Sequence, residues 1–193
     1  QYDSASNSWR FVNFMLQTRT GAGAASLGGL VYVCGGVDRD SMERFDPKQN
    51  QWTLLTATLP MRSAGLALVA LGDCLYAIAG NREFGNFKNQ VHCYNLYEGT
   101  WTESVPLLSP CSCPSATVIR LVADEYIYVF GGDARAGISV HVPMNRLMSQ
   151  AIQRWKPGMT TWELCRGTLR APIKAMACCT VSGCDLIEPL LSR

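Results

Sequence analysis

The stretch Phe45-Asp46-Pro47-Lys48-Gln49-Asn50-Gln51-Trp52 sets an aromatic residue and an acid ahead of a turn-prone middle and closes on a tryptophan. Its seven-residue spacing recurs from Tyr2 to Trp9, from Tyr94 to Trp101 and from Trp155 to Trp162. A second element recurs with it. Tyr32-Val33-Cys34-Gly35-Gly36 is echoed by Tyr76-Ala77-Ile78-Ala79-Gly80 and by Tyr128-Val129-Phe130-Gly131-Gly132. Self-similarity at a fixed period marks a repeat architecture, in which each unit is one supersecondary element.

The spacings between the two elements separate joint from loop. From Trp9, Trp52 and Trp101 to the tyrosine of the following glycine element (Tyr32, Tyr76 and Tyr128) takes 23, 24 and 27 residues. From the last glycine to the first aromatic of the next seven-residue motif (Phe45, Tyr94 and Trp155) takes 9, 14 and 23 residues. Insertions collect after the glycines, and loops accept insertions where packed hairpins do not. The segment after each glycine is therefore expected to be a surface loop, and the aromatic-to-Trp segment a tight hairpin.

Each unit reads as four short strands. In the second, Leu66 to Leu71 is an apolar run, Gly72-Asp73 a turn, and Leu75 to Ala79 another apolar run. Gln90 to Leu96 and Thr100 to Ser104 alternate polar and apolar residues across a turn at Tyr97-Glu98-Gly99. Two buried strands followed by two half-exposed ones fit a small sheet standing edge-on to an axis. Met144 to Arg154 is the best helix candidate. Asp46-Pro47 and Asn95 supply turn chemistry, the glycines permit positive φ, and each indole N–H can reach a nearby carbonyl.

A repeat of this length, with an apolar run, Gly-Gly, an aromatic and a Trp, resembles the Kelch motif. The resemblance implies an all-β protein, a Kelch β-propeller fragment of four-stranded antiparallel blades. Its repeat marks are Gly35, Gly36, Gly80, Gly131, Gly132, Trp9, Trp52, Trp101 and Trp162. About three complete blades are expected, at 15–56, 57–105 and 106–166, with partial blades at 1–14 and 167–193. That is an incomplete ring. Arg19 and Met61-Arg62 match the segment leading into a blade, whereas the third unit has Pro110 and Pro114 there. Arg170 to Val181 begins a further blade, but Glu188-Pro189 stands where Gly-Gly belongs.

In such propellers the loops after the glycines line one face, which commonly binds a partner. Here they carry Asp38 and Arg39, then Asn81, Arg82 and Phe84, then Asp133 and Arg135. Three converging guanidinium groups would grip the carboxylates of an acidic protein or peptide partner. The bland alternative is a set of solvated loop charges balanced by Asp38, Asp40, Glu83 and Asp133. Fragments such as DSMERFDPKQNQW resemble the Kelch half of BTB–Kelch proteins. The resemblance implies a substrate-recognition module of a cullin-based ubiquitin ligase adaptor, with the cullin engaged only through a BTB domain outside this chain. An actin-associated cytoskeletal scaffold is the rival reading.

The bulk composition is consistent with these expectations. The 193 residues carry 17 basic and 15 acidic side chains, a net charge of +2 with no basic run, so neither nucleic acid nor membrane is an expected partner. No apolar run reaches the roughly 18–20 residues of a bilayer span, and a soluble, cytoplasmic protein is expected. The chain starts at Gln1 without Met and is expected to be a piece of a longer polypeptide. Nine cysteines, mostly within apolar stretches, read as buried thiols of a reducing compartment. A metal site of Cys111, Cys113 and a histidine (His92 or His141) is the weaker alternative. No GxSxG, HExxH, P-loop or EF-hand pattern occurs, and neither an enzyme nor a cofactor is expected.

Overall fold

The structure, a computed structural model, describes residues 1–80, 88–121, 124–132 and 150–170. It opens with a two-stranded hairpin, β1 (Tyr2–Asp3) and β2 (Ser8–Trp9). Three four-stranded sheets follow in chain order. The first holds β3 (Gly23–Leu27), β4 (Leu30–Cys34), β5 (Met42–Asp46) and β6 (Gln51–Leu54). The second holds β7 (Ala67–Leu71), β8 (Cys74–Ile78), β9 (Val91–Asn95) and β10 (Thr100–Ser104). The third holds β11 (Ser115–Leu121), β12 (Asp124–Phe130), β13 (Ala151–Trp155) and β14 (Glu163–Thr168). Every neighbour is antiparallel and consecutive in sequence, as up-and-down blades require.

The first strands of the blades meet: β3 lies against β7, and β7 against β11. They form the inner edge of an open arc. Two apolar seams fill the space between blades. One joins Tyr32, Cys34 and Met42 to Leu68, Leu75 and Ala77, and the other joins Val69, Ile78 and Val91 to Ile127, Val129 and Trp162. Blade two is buried from both sides, which is why β7 and β8 read as nearly unbroken apolar runs.

Backbone hydrogen bonds belt the inner edge. Gly65 N–H donates to Gly21 C=O at 2.8 Å, and Cys113 N–H to Gly65 C=O at 2.8 Å. A parallel belt runs from Gly36 N–H to Ser63 C=O and from Gly80 N–H to Cys111 C=O, at 2.8 and 3.3 Å. The belts align Gly21 with Gly65 and Cys113, so Arg19 is equivalent to Ser63 and Cys111. This corrects the match of Arg19 with Arg62, which is exposed. Seven residues separate Trp52 from Leu59 and six separate Trp101 from Leu107, two leucines that make equivalent bonds, to Asp40 C=O and Asn89 C=O. One extra residue in that linker shifts the spacing.

The helix expected over 144–154 is also corrected. Ala151–Trp155 is a strand paired with β12, because Gln153 and Trp155 alternate into the core, whereas 144–149 lie outside the described residues. Residues 171–193, with Glu188-Pro189 and most of the segment from Arg170 to Val181, lie outside them too.

Candidate partner-binding face

The seven-residue motif is a joint. Tyr2 faces Trp9, Phe45 faces Trp52 and Tyr94 faces Trp101 across the outer hairpins, with ring centroids 5.2, 4.9 and 5.2 Å apart. Trp155 and Trp162 stack at 6.0 Å. The turns between them are closed by side chains: Asp46 Oδ1 accepts from Lys48 N–H at 2.8 Å, and Asn95 Oδ1 from Tyr97 N–H at 2.8 Å. Two indoles reach upstream to the preceding linker, Trp52 Nε1 to Asn13 C=O at 2.8 Å and Trp162 Nε1 to Val105 C=O at 2.9 Å. Each acceptor lies four residues beyond the tryptophan of the unit before. Trp101 Nε1 is buried with no partner among the described residues, and the linker that should serve it is the one with the extra residue.

With the joint assigned to stability, the loop after the glycines of blade one becomes the candidate site. Gly35, Gly36, Gly80, Gly131 and Gly132 all have positive φ, and Ala79 takes φ +57° where the other two blades use glycine. Beyond Gly36 the chain is pinned on both sides. Val37 N–H donates to Thr20 C=O at 2.9 Å, Ser63 N–H to Arg39 C=O at 3.2 Å, and Leu59 N–H to Asp40 C=O at 2.7 Å. Backbone alone thus holds residues 37–40 against two linkers. Asp38 is exposed at φ +55° and Arg39 is half-buried. Neither side chain has a hydrogen bond or ion pair among the described residues. Asn81, Arg82, Phe84, Asp133 and Arg135 lie outside the described residues.

Directly behind this loop lies a buried ion pair that the sequence reading missed. Arg19 Nη2 and Glu43 Oε1 are 3.0 Å apart, with side chains 1% and 0% exposed. Arg19 also donates to Gly35 C=O and Ser41 C=O, each at 2.8 Å, and Glu43 Oε2 accepts from Leu16 N–H at 2.7 Å. Both charges are saturated by partners, the condition under which burial is tolerable. The pair stitches the lead-in to β5 and to both ends of the loop. A signal was present: two residues before the aromatic, each unit has a buried polar residue, Glu43, His92 or Gln153.

Three thiols are held in the protonated form by burial. Burial pushes Cys34 and Cys111 up to about 12, and Cys93 likewise, so all three are protonated at neutral pH. No group of three potential metal ligands occurs among the described residues.

The model of the Kelch motif matches residues 18–57 and 62–108. These are Kelch repeats. Kelch-like protein 35 of Mus musculus is 26% identical over 198 residues, covering all of this chain and 30% of that protein. Kelch-like protein 23 of Mus musculus is 24% identical over 187 residues, covering 93% of this chain and 30% of the other. Kelch repeat and BTB domain-containing protein 6 of Homo sapiens is 32% identical over 112 residues, covering 55% of this chain and 15% of that protein. The chain therefore spans less than a third of the length of these relatives. Among solved structures, YjhT superposes with a TM-score of 0.62 at 15% identity, over 81% of this chain and 54% of that one. It shares the fold, and the three four-stranded sheets here are blades of an unclosed part of a β-propeller.

Proposed function

We propose that this chain is the partner-recognition module of a larger adaptor for a cullin-based ubiquitin ligase. The observation that carries the reading is the loop of residues 37–40, fixed by its backbone while the charges of Asp38 and Arg39 stay uncommitted. A loop rigid before contact loses little conformational entropy on binding, and an arginine is the side chain most suited to grip a carboxylate. Relatives named for Kelch repeats, one of them also for a BTB domain, support the reading. The link to a cullin belongs to a BTB domain of the same polypeptide, and the partner surface offered here selects an acidic protein segment.

Affinity purification from cells expressing the full polypeptide tests this, with the cullin as readout and Arg39→Ala, Arg82→Ala and Arg135→Ala combined as the variant. The expected result is cullin recovery unchanged and the captured substrate reduced at least tenfold, about 1.4 kcal/mol. Cullin-free capture with actin co-sedimentation would instead support the cytoskeletal role. Equal substrate capture by the triple variant would remove the guanidinium grip.

A further inference from the structure

The belts make three sets of residues equivalent: Leu16, Arg19 and Glu43 in blade one; Pro60, Ser63 and His92 in blade two; Leu108, Cys111 and Gln153 in blade three. In blades one and three the strand residue accepts from the linker, Glu43 from Leu16 N–H at 2.7 Å and Gln153 from Leu108 N–H at 3.0 Å. Pro60 has no N–H to give, and there the acceptor is replaced by an imidazole. Ser63, in the position of Arg19, reaches only as far as Ala79 C=O at 3.3 Å.

The shorter side chains leave a cavity of about 10 Å³ beside Ser63, Gln90 and His92, with Leu59, Ala77 and Lys88 completing much of its wall. Gln90 is the counterpart of Ser41, as the bonds from Gly35 N–H to Ser41 C=O and from Ala79 N–H to Gln90 C=O establish. Ser41 Oγ accepts from Arg19 Nη2 at 2.9 Å, whereas Gln90 Oε1 is buried with no partner among the described residues. Both positions thus present an acceptor, but the donor that Arg19 supplies to Ser41 has no counterpart at Ser63 for Gln90. A space of this size holds one water, which needs two to four polar partners to stay.

We infer that a single ordered water occupies this cavity and stands in for the Arg19 guanidinium. It donates to Gln90 Oε1 and bonds to Ser63 Oγ and the His92 ring. Burial lowers the His92 pKa against the weaker opposing pull of Glu103, which keeps the ring neutral and able to donate or accept. The water is the internal ligand that ties the blade-two lead-in to β9, the task of the ion pair in blade one.

The test is water–protein NOE spectroscopy and thermal unfolding of the intact protein and of its Gln90→Met variant, which keeps length and removes the acceptor. The expected result is a long-lived water cross-peak to the His92 ring or the Ala77 methyl. In Gln90→Met the peak disappears and Tm falls by about 2–4 °C. A rise in Tm would mean that the acceptor was bare, and would overturn the proposal. So would the absence of a cross-peak in the intact protein, or a fall in Tm for Lys88→Met, which would assign the donor to the Lys88 ammonium.

Discussion

At the scale of the residue, one backbone angle separates equivalent positions. Ala79 sits at φ +57° where Gly35 and Gly131 have +70° and +62°. An L-residue there bears a strain of about 1–2 kcal/mol, part of which glycine returns as unfolded-state entropy. Ala79→Gly is expected to stabilise by about 0.5–1 kcal/mol in urea unfolding. Gly35→Ala is the reverse experiment and a harsher one, since a Cβ there would lie 2.6 Å from Ser63 C=O and from Leu66 Cδ2. The tryptophans allow a second contrast. Trp162→Phe removes the bond to Val105 and should cost about 1 kcal/mol more than Trp101→Phe, whose indole N–H has no partner among the described residues. Equal losses in the two variants, measured by denaturant titration, would contradict the assignment.

At the scale of the element, the buried pair of Arg19 and Glu43 decides how firmly the first blade holds its lead-in. Arg19→Met leaves a carboxylate sealed at 0% exposure with no cation, a loss of about 3–5 kcal/mol. Arg19→Met combined with Glu43→Leu should recover part of that loss, and a double-mutant cycle measures the coupling. Strand pairing in these blades was largely legible in the sequence. In the second blade the expected and observed strands differ by one residue at most ends, because buried runs and alternating runs are set by the same packing that forms the sheet. The lead-ins were not legible. A single added residue between Trp52 and Leu59 makes Arg62 look like the partner of Arg19, and only the hydrogen-bond belts reveal Ser63 in that place. Segment 151–155 misled in a different way, since a short stretch without breakers carries no cue to the β12 edge that captures it.

At the scale of the whole molecule, the repeat period was the strongest signal, since it rests on a packing unit used again and again. The proposed partner-binding face was read from the sequence only as loop positions, since what a loop binds depends on side chains that no period constrains. The same repetition places tryptophan reporters along the arc in different surroundings. Trp9 is 80% exposed in the opening hairpin, whereas Trp162 is 2% exposed in the seam between blades two and three. Iodide should therefore quench the fluorescence of Trp9 and spare that of Trp162, and Trp9→Phe should remove most of the quenchable emission.

The stacking of Trp155 on Trp162, at 6.0 Å and 26° between planes, has an optical consequence. Two indoles this close share their excited states, so the third blade should imprint a paired positive and negative band on the far-ultraviolet circular dichroism. Trp155→Phe should abolish that couplet while the sheet signal persists. An unlabelled sample then reports, by the fading of one band, when its third blade comes apart ahead of the others.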